Sequence, residues 1–343
     1  MTNRLHKVEI GMPVYNGESF LEQALDSILQ QTYSDFKLII SDNASTDSTS
    51  AICEDYARRD SRIRYERNET NLGAIGNFNR AFELSDAKYF KWAAYDDVCH
   101  PTFLERCVEV LDNEPDIAWC HSRSMHIDQN GRALDEPIIS YTSRECDKSY
   151  KRFDAILFDP NGCLDSYGLI RSRIMRETNL LIPAYGAEKV FMAELSLWGG
   201  FREIPETLFK ARVHAQGSGN LDSADEQREF VAPQTSPNSS VRLQLLCGYL
   251  KAIRRANISW YERLRCGGVL LKYLLQTKKW KRILLGYMRG AGVGGRNVRR
   301  LEKLDEENSS STESRFSIST TTRDDDSDHP VKHSANDVIT QDI

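Results

Sequence analysis

Apolar residues recur along the first 127 positions in two alternating periods. Val8-Glu9-Ile10-Gly11-Met12 reads as a short strand closed by Pro13, and Phe20, Leu21, Ala24, Leu25, Ile28 and Leu29 then follow at helical spacing. Phe36-Lys37-Leu38-Ile39-Ile40 predicts a second strand ending in Ser41-Asp42. Ser45 or Thr46 stands where it can cap a helix carrying Ala51, Ile52, Tyr56 and Ala57. Ile63-Arg64-Tyr65 is a third strand, and the Asn71-Leu72-Gly73 turn precedes a helix with Ile75, Phe78, Phe82 and Leu84. The fourth strand, Tyr89-Phe90-Lys91-Trp92-Ala93-Ala94, runs into two adjacent carboxylates, Asp96 and Asp97. Pro101 opens a helix with Phe103, Leu104, Cys107, Val108 and Leu111, before a fifth strand at Ile117-Ala118-Trp119-Cys120. Strands separated by helices of this length predict an α/β, doubly wound domain with a mostly parallel sheet flanked by helices.

From residue 128 to 240 the pattern is less regular. Gly131 marks a turn, Lys151 to Phe158 a helix, Tyr167-Gly168-Leu169-Ile170 a strand, and Val190 to Trp198 a helix that stops at Gly199-Gly200. Phe201 to Val213 reads as an extended ribbon with Pro205 at its bend, and residues 215–240, rich in Ser, Gly, Asn, Gln and Asp, as a mobile loop. Residues 241–303 are helical in pattern and strongly basic, with clusters such as Arg254-Arg255 and Lys278-Lys279-Trp280-Lys281-Arg282. From 304 to 343 the chain is acidic and Ser/Thr-rich, with Asp324-Asp325-Asp326 at its centre, a composition expected to stay disordered.

Composition narrows the class. Of 343 residues 40% are hydrophobic, enough for a sizeable core, and the net charge of -5 averages over unlike parts. The eight cysteines never fall as C-x-x-C and read as reduced, mostly buried thiols of a cytoplasmic protein. The N-terminus lacks the apolar run of a signal peptide, and no segment is long and apolar enough to span a bilayer. The basic region has no recognisable nucleic-acid module beside it, so no nucleic-acid partner is expected.

In an open parallel sheet, ligands bind beyond the carboxyl ends of the strands. Here those ends are polar: Pro13-Val14-Tyr15-Asn16-Gly17-Glu18, Ser41-Asp42-Asn43-Ala44-Ser45-Thr46-Asp47 and Tyr95-Asp96-Asp97. Two adjacent carboxylates are costly unless a cation lies between them or water reaches both. Oxygen ligands of this kind suit Mg²⁺ or Mn²⁺ on a substrate's phosphates. The plainer reading is that the pair begins a solvated loop and caps the helix at Pro101.

The segment 13–49, opening PVYNGESFLEQ and containing SDNASTD, resembles the start of family 2 glycosyltransferases with the GT-A fold. WAAYDDV is similar to their metal- and nucleotide-binding acidic motif, and the motifs occur in the expected order. The resemblance is strong from residue 8 to about 125, fair to about 218 and slight beyond. It implies that residues 1–127 bind a nucleotide-sugar donor and that 128–240 form the acceptor side. Pro13, Tyr15 and Glu18 would line the nucleotide pocket, Asp42 would hydrogen-bond the base, and Asn77 and Arg80 would complete the base and ribose site beside Gly73. Asp96 would face the ribose or a metal-bound water, and Asp97 a divalent Mn²⁺ or Mg²⁺ on the diphosphate. Glu188, in Pro183-Ala184-Tyr185-Gly186-Ala187-Glu188-Lys189, would be the general base of an inverting transfer. Lys189 departs from the family pattern, standing where a second acid is common, and Glu194 should face away from Glu188. Arg212 would pair with phosphate oxygens, and His214 would ligate the metal or approach the diphosphate.

The implied reaction moves a sugar, expected to be UDP-linked, to a glycan or lipid-linked hydroxyl in polysaccharide assembly. A pyrophosphorylase is disfavoured because PVYNGES carries no basic residue to hold a triphosphate. The other alternative is a degenerate member that binds a sugar nucleotide without transferring it. Residues 241–303 have two readings: helices packed on the catalytic domain with solvated basic faces, or an interfacial element touching anionic lipid at the inner face of the membrane.

Overall fold

The structure is a computed structural model, and it describes residues 6–139, 146–159, 163–215, 217, 221, 223–231 and 241–275. Strands β1 (Val8–Val14), β2 (Phe36–Asp42), β3 (Ile63–Arg67) and β4 (Tyr89–Trp92) alternate with helices α1 (Leu21–Leu29), α2 (Thr49–Arg59) and α3 (Gly73–Glu83). They are followed by β5 (Val98–Cys99), α4 (Phe103–Asn113) and β6 (Ile117–Ile127). Next come α5 (Ser149–Phe158), a 3₁₀ turn (Leu164–Tyr167), β7 (Leu169–Arg171) and α6 (Ser172–Met175). The described chain ends with α7 (Ala187–Trp198), β8 (Gly200–Arg212), α8 (Ala224–Val231), α9 (Val241–Arg255) and α10 (Trp260–Leu274).

The eight strands lie in the order β3-β2-β1-β4-β7-β6-β8-β5. β1 pairs parallel with β2 and β4, β2 with β3, and β6 with β8, as helical crossovers impose. Two short strands run against this direction: β7, which joins β4 to β6, and β5, which caps β8. The mostly parallel sheet is as expected. The insertion of β7 between β4 and β6 is not visible in local periodicity, because it pairs residues some fifty to eighty positions apart in sequence.

Central strands are apolar on both faces because helices cover both. One core layer joins Ile10, Leu25, Phe36, Phe103 and Leu104; the other joins Phe82, Phe153, Phe191, Tyr249 and Leu270. Gly11 is where β1 and β4 require the absence of a side chain. A Cβ there would lie 2.5 Å from Phe90 Cζ and 3.0 Å from the Ala81 Cβ.

Three local expectations change. The second helix begins at Thr49, not at Ser45 or Thr46, and its first amide is met by Asp47 Oδ1 at 3.0 Å. The bend at Pro205 is a bulge within one continuous strand, where the β6–β8 register shifts between Ser122 and Arg123. The segment read as a loop contains α8, whose Val231 is buried in the second core layer; residues 232–240 lie outside the described residues. Of the basic region, residues 241–275 form α9 and α10. Lys278 to Arg282, the rest to 303 and the acidic segment 304–343 lie outside the described residues.

α9 and α10 pack on the domain. The Tyr249 ring meets Phe153 edge-on at 6.2 Å, and Glu262 accepts from the Ser149 amide at 3.0 Å, placing a carboxylate at the N-terminus of α5. All eight cysteines are free thiols.

Candidate active site

The loops after β1 and β2 fasten to each other through backbone groups the strands leave unpaired. Asn16 N–H donates to Ser45 Oγ at 3.0 Å, Gly17 N–H to Thr49 Oγ1 at 2.8 Å and Glu18 N–H to Asp47 Oδ2 at 3.1 Å. In return Glu18 Oε2 accepts from the Ser48 amide at 2.9 Å. The Glu18 carboxylate therefore holds the start of α2. Pro13 is buried within β1 against Ser41 of β2, and Tyr15, 42% exposed, presents its ring at the mouth of the crevice.

Asp42 is fully buried at the end of β2. It accepts from Ser45 N–H at 2.9 Å, Tyr65 Oη at 2.7 Å, Ser50 Oγ at 3.0 Å and Arg67 Nη1 at 2.7 Å. Burial alone would raise its carboxyl; the hydrogen bonds from Ser45, Tyr65 and Ser50 outweigh burial and hold it below the ordinary value. Both oxygens are thus engaged by protein donors. By accepting from the Ser45 amide, Asp42 closes the turn that follows β2.

Asn77 is also turned inward. Its Oδ1 accepts from Ser41 Oγ at 2.7 Å and Asn68 Nδ2 at 3.0 Å, and its Nδ2 donates to the Ser41 carbonyl at 2.8 Å. Asn43 completes the cluster: its amide donates to Asn71 Oδ1 at 2.8 Å and accepts from Leu72 N–H at 2.8 Å. This asparagine network fixes the N-terminus of α3 against the ends of β1 and β2. Its signal in the sequence was an Asn in each of two strand-end loops, Asn43 in SDNASTD and Asn71 in NLG. Arg80 is exposed, about 10 Å further along α3 than Gly73 at 1.5 Å per residue. The structure does not bring it to the strand ends.

The acid pair lies between β4 and β5. Asp97 is buried, and its Oδ1 accepts from the Arg212 backbone N–H at 2.8 Å. Burial and then the neighbouring Asp96 carboxylate push the Asp97 carboxyl well above its ordinary value. His214 Nε2 lies 2.8 Å from Asp96 Oδ2, and its ring packs on Phe20 at 4.7 Å. Arg212 sits behind the pair. Its guanidinium donates to the carbonyls of Asp96 at 2.8 Å, Asp128 at 3.0 Å and Gln129 at 3.0 Å, and also to Gln23 Oε1. Arg212 therefore clamps the turn that carries the acids, and the four hydrogen bonds of its guanidinium all go to protein oxygens.

Lys91 was not singled out by sequence reasoning, although a lysine inside an aromatic strand is itself a signal. It is 1% exposed and donates from Nζ to the carbonyls of Trp92 at 2.9 Å and Tyr167 at 2.6 Å. Its ammonium lies 4.8 Å from the Phe103 ring centre and 5.2 Å from that of Phe209. β4 and β7 pair only as far as Phe90, and Lys91 fills the gap where they diverge. It supplies positive charge that favours an ionised Asp97.

Glu188 stands in the first turn of α7, after Gly186 in the left-handed region at φ 83°. The side chain is half-buried, and burial pushes its carboxyl above the ordinary value. Lys189 is turned elsewhere: its Nζ donates to the Asp159 carbonyl at 2.7 Å. Glu194 is fully buried and accepts from the Asn179 amide and side chain at 3.0 Å, so it serves packing between α7 and the chain before it. Burial first, and then the charges of Asp97, Asp96 and Glu188, raise the Tyr167 hydroxyl well above the ordinary value. Its ring stacks on Phe209 at 5.4 Å.

Two adjacent carboxylates, one of them buried, carry like-charge strain of the kind that a hard divalent cation relieves. Among the described residues no group of three or more His, Cys, Asp or Glu side chains is placed to hold a metal ion. An ion here would complete its shell with water and diphosphate oxygens, as Mg²⁺ habitually does.

Comparison with known proteins agrees with this geometry. Residues 9–174 match the family described as glycosyl transferase family 2. An uncharacterised glycosyltransferase of Haemophilus influenzae is 26% identical over 270 residues, covering 74% of each chain. Another, from Rickettsia prowazekii, is 28% identical over 242 residues, covering 65% of this chain and 70% of the relative. Among solved structures, S. aureus TarS residues 1–349 in complex with UDP-GlcNAc superposes with a TM-score of 0.58 at 16% identity, covering 77% of this chain and 71% of TarS. The sheet order and the family match identify residues 9–174 as a glycosyl transferase family 2 domain.

Proposed function

We propose that the protein transfers a sugar from a nucleoside-diphosphate donor to an acceptor hydroxyl with inversion, assisted by a divalent metal. The observation that carries this reading is the Asp96–Asp97 pair at the carboxyl edge of the sheet, held by His214 and the Arg212 amide, in a chain whose residues 9–174 match family 2. The nucleotide would lie over the ends of β1 and β2, with the Tyr15 ring against it. Asp42, Asn77 and Glu18 act here by holding the two loops and α3 in place. Asp97 and His214 would hold Mn²⁺ or Mg²⁺, with Asp96 facing the ribose or a metal-bound water; the ion would supply Lewis-acid stabilisation to the departing diphosphate. Arg212 and Lys91 keep the acid-bearing turn in position.

Glu188 is the base. Its carboxylate takes the proton of the acceptor hydroxyl, the acceptor oxygen bonds to the anomeric carbon, and the bond from that carbon to the diphosphate oxygen breaks. Burial raises the basicity of Glu188, and the Lys189 ammonium, bonded to the Asp159 carbonyl, does not oppose this. That geometry supports a transferring over a degenerate member. Binding of UDP and UDP-GlcNAc by TarS supports a UDP-linked donor as the first to test. The acceptor proposed is a glycan or lipid-linked hydroxyl in polysaccharide assembly on the cytoplasmic side of a membrane.

The test is thermal stabilisation by UDP, GDP, dTDP and CDP, each with and without Mn²⁺. One nucleotide is expected to stabilise the protein with Mn²⁺ and much less without it. No shift with any nucleotide would overturn the donor site.

A further inference from the structure

α10 is apolar on two opposite sides. Its inner side buries Cys266, Val269 and Leu270. On a helical projection Trp260, Leu264, Leu271 and Leu275 fall within about 60° of one another on the outer side. They are 77%, 66%, 57% and 66% exposed. Gly267 and Gly268 lie along the same stripe with open space above them. Single exposed apolar residues are ordinary, but four in one row along a fifteen-residue helix and its C-terminal cap form a patch.

Charge frames the stripe. Arg263 projects on one border, Arg265 and Lys272 on the other, and all three are exposed. Arg263 also donates to the Ala256 carbonyl, Arg265 lies over the Tyr150 ring and Lys272 reaches Asp154, so their stems are ordered beside the stripe. The helix's one acid, Glu262, is turned inward onto Ser149. No described helix is long and apolar enough to cross a bilayer.

We propose that this outer face of α10 is a docking surface for an anionic lipid headgroup layer. The apolar row would enter the headgroup–acyl boundary, with Trp260 at the interface, while the bordering Arg and Lys engage lipid phosphates. The charge pattern argues against a second copy as occupant, since self-pairing would set Arg against Arg, and the acid beside the stripe, Asp154, is already paired with Lys272. It also argues against the stretch that follows α10 directly, because Lys278-Lys279-Trp280-Lys281-Arg282 carries the same sign. The inference is independent of the sugar-transfer reading.

The experiment is flotation of the full chain with phosphatidylcholine vesicles, alone or with about 30% phosphatidylglycerol. Binding at least ~10-fold stronger to the anionic vesicles is expected. Leu264→Glu with Leu271→Glu, and separately Arg263→Gln with Arg265→Gln, should each lower it by about tenfold or more. Melting temperature and stabilisation by nucleotide should not change in either variant. No binding to either vesicle, equal binding to both, or binding that survives both pairs of substitutions would overturn the proposal. So would a dimer in sedimentation that the leucine substitutions dissociate, which would assign the face to a second copy. Nucleotide stabilisation measured on the same samples separates failure of this surface from failure of the donor site.

Discussion

Asp97→Asn is the sharpest perturbation of the proposed site because it separates stability from binding. Asn keeps an oxygen to accept from the Arg212 amide, at 2.8 Å in the wild type, and removes only the charge. That charge is unfavourable in the free protein, since burial and Asp96 both raise the Asp97 carboxyl. An acid whose folded value is raised binds more protons folded than unfolded. Its penalty is absent below the unfolded value of about 3.9 and grows as pH rises toward the folded value. At neutral pH the free variant should therefore melt at or above the wild-type temperature. The ligand effect should run the other way. A nucleotide with Mn²⁺ at 100 times its dissociation constant adds about 2.7 kcal/mol. For a domain of this size that is a rise of roughly 5 °C in melting temperature. The variant should lose most of that rise while keeping the baseline. The assay is differential scanning fluorimetry at several pH values, with and without Mn²⁺ and the stabilising nucleotide. An undiminished rise in Asp97→Asn would refute the placement of the metal. A lower baseline at neutral pH would refute the claim that the buried charge is a burden on the free fold.

Other substitutions test the remaining parts. Glu188→Gln should lower kcat by at least ~100-fold while nucleotide stabilisation stays unchanged. In the wild type kcat/KM should rise with pH through the raised Glu188 value and fall as the carboxyl is protonated below it; a flat profile would remove Glu188 as base. Asp42→Ala leaves the buried Ser45 amide and Tyr65 hydroxyl without their acceptor, a loss of about 2–3 kcal/mol readable in a denaturant melt. If stability instead held and only nucleotide preference changed, Asp42 would be a base-reading residue. Lys91→Met removes a buried charge as well as two hydrogen bonds to carbonyls, effects that nearly cancel. Its melting temperature should therefore move little while kcat/KM falls about tenfold or more, and a collapse of the fold would show the lysine to be structural alone. Gly11→Ala forces a Cβ within 2.5 Å of Phe90 Cζ and should cost about 1–3 kcal/mol by chemical denaturation.

What the sequence by itself determined was local and periodic. Apolar residues at periods of two and of 3.6 placed β1 to β4, α1, α3, α4 and the start of β6, because each element must turn one stripe or both faces to a core. The motifs at the strand ends, and the order in which they come, identified the family and located Asp96 and Asp97. Tertiary structure decided which groups each side chain serves. Asp42, Asn77 and Glu18 have the residue types of ligand contacts, yet folding places amides and hydroxyls against them, and a buried polar group takes the partner at hand. Arg212 and Lys91 reach their carbonyls across separations of 84 and 76 residues in the chain, distances over which periodicity carries no information. The same holds for Lys189, whose neighbour in sequence is Glu188 and whose partner in space is the Asp159 carbonyl. The outward face of α10 was legible only once packing had used up the other side: the sequence shows that the helix is apolar, and the fold decides which of its two stripes remains in water.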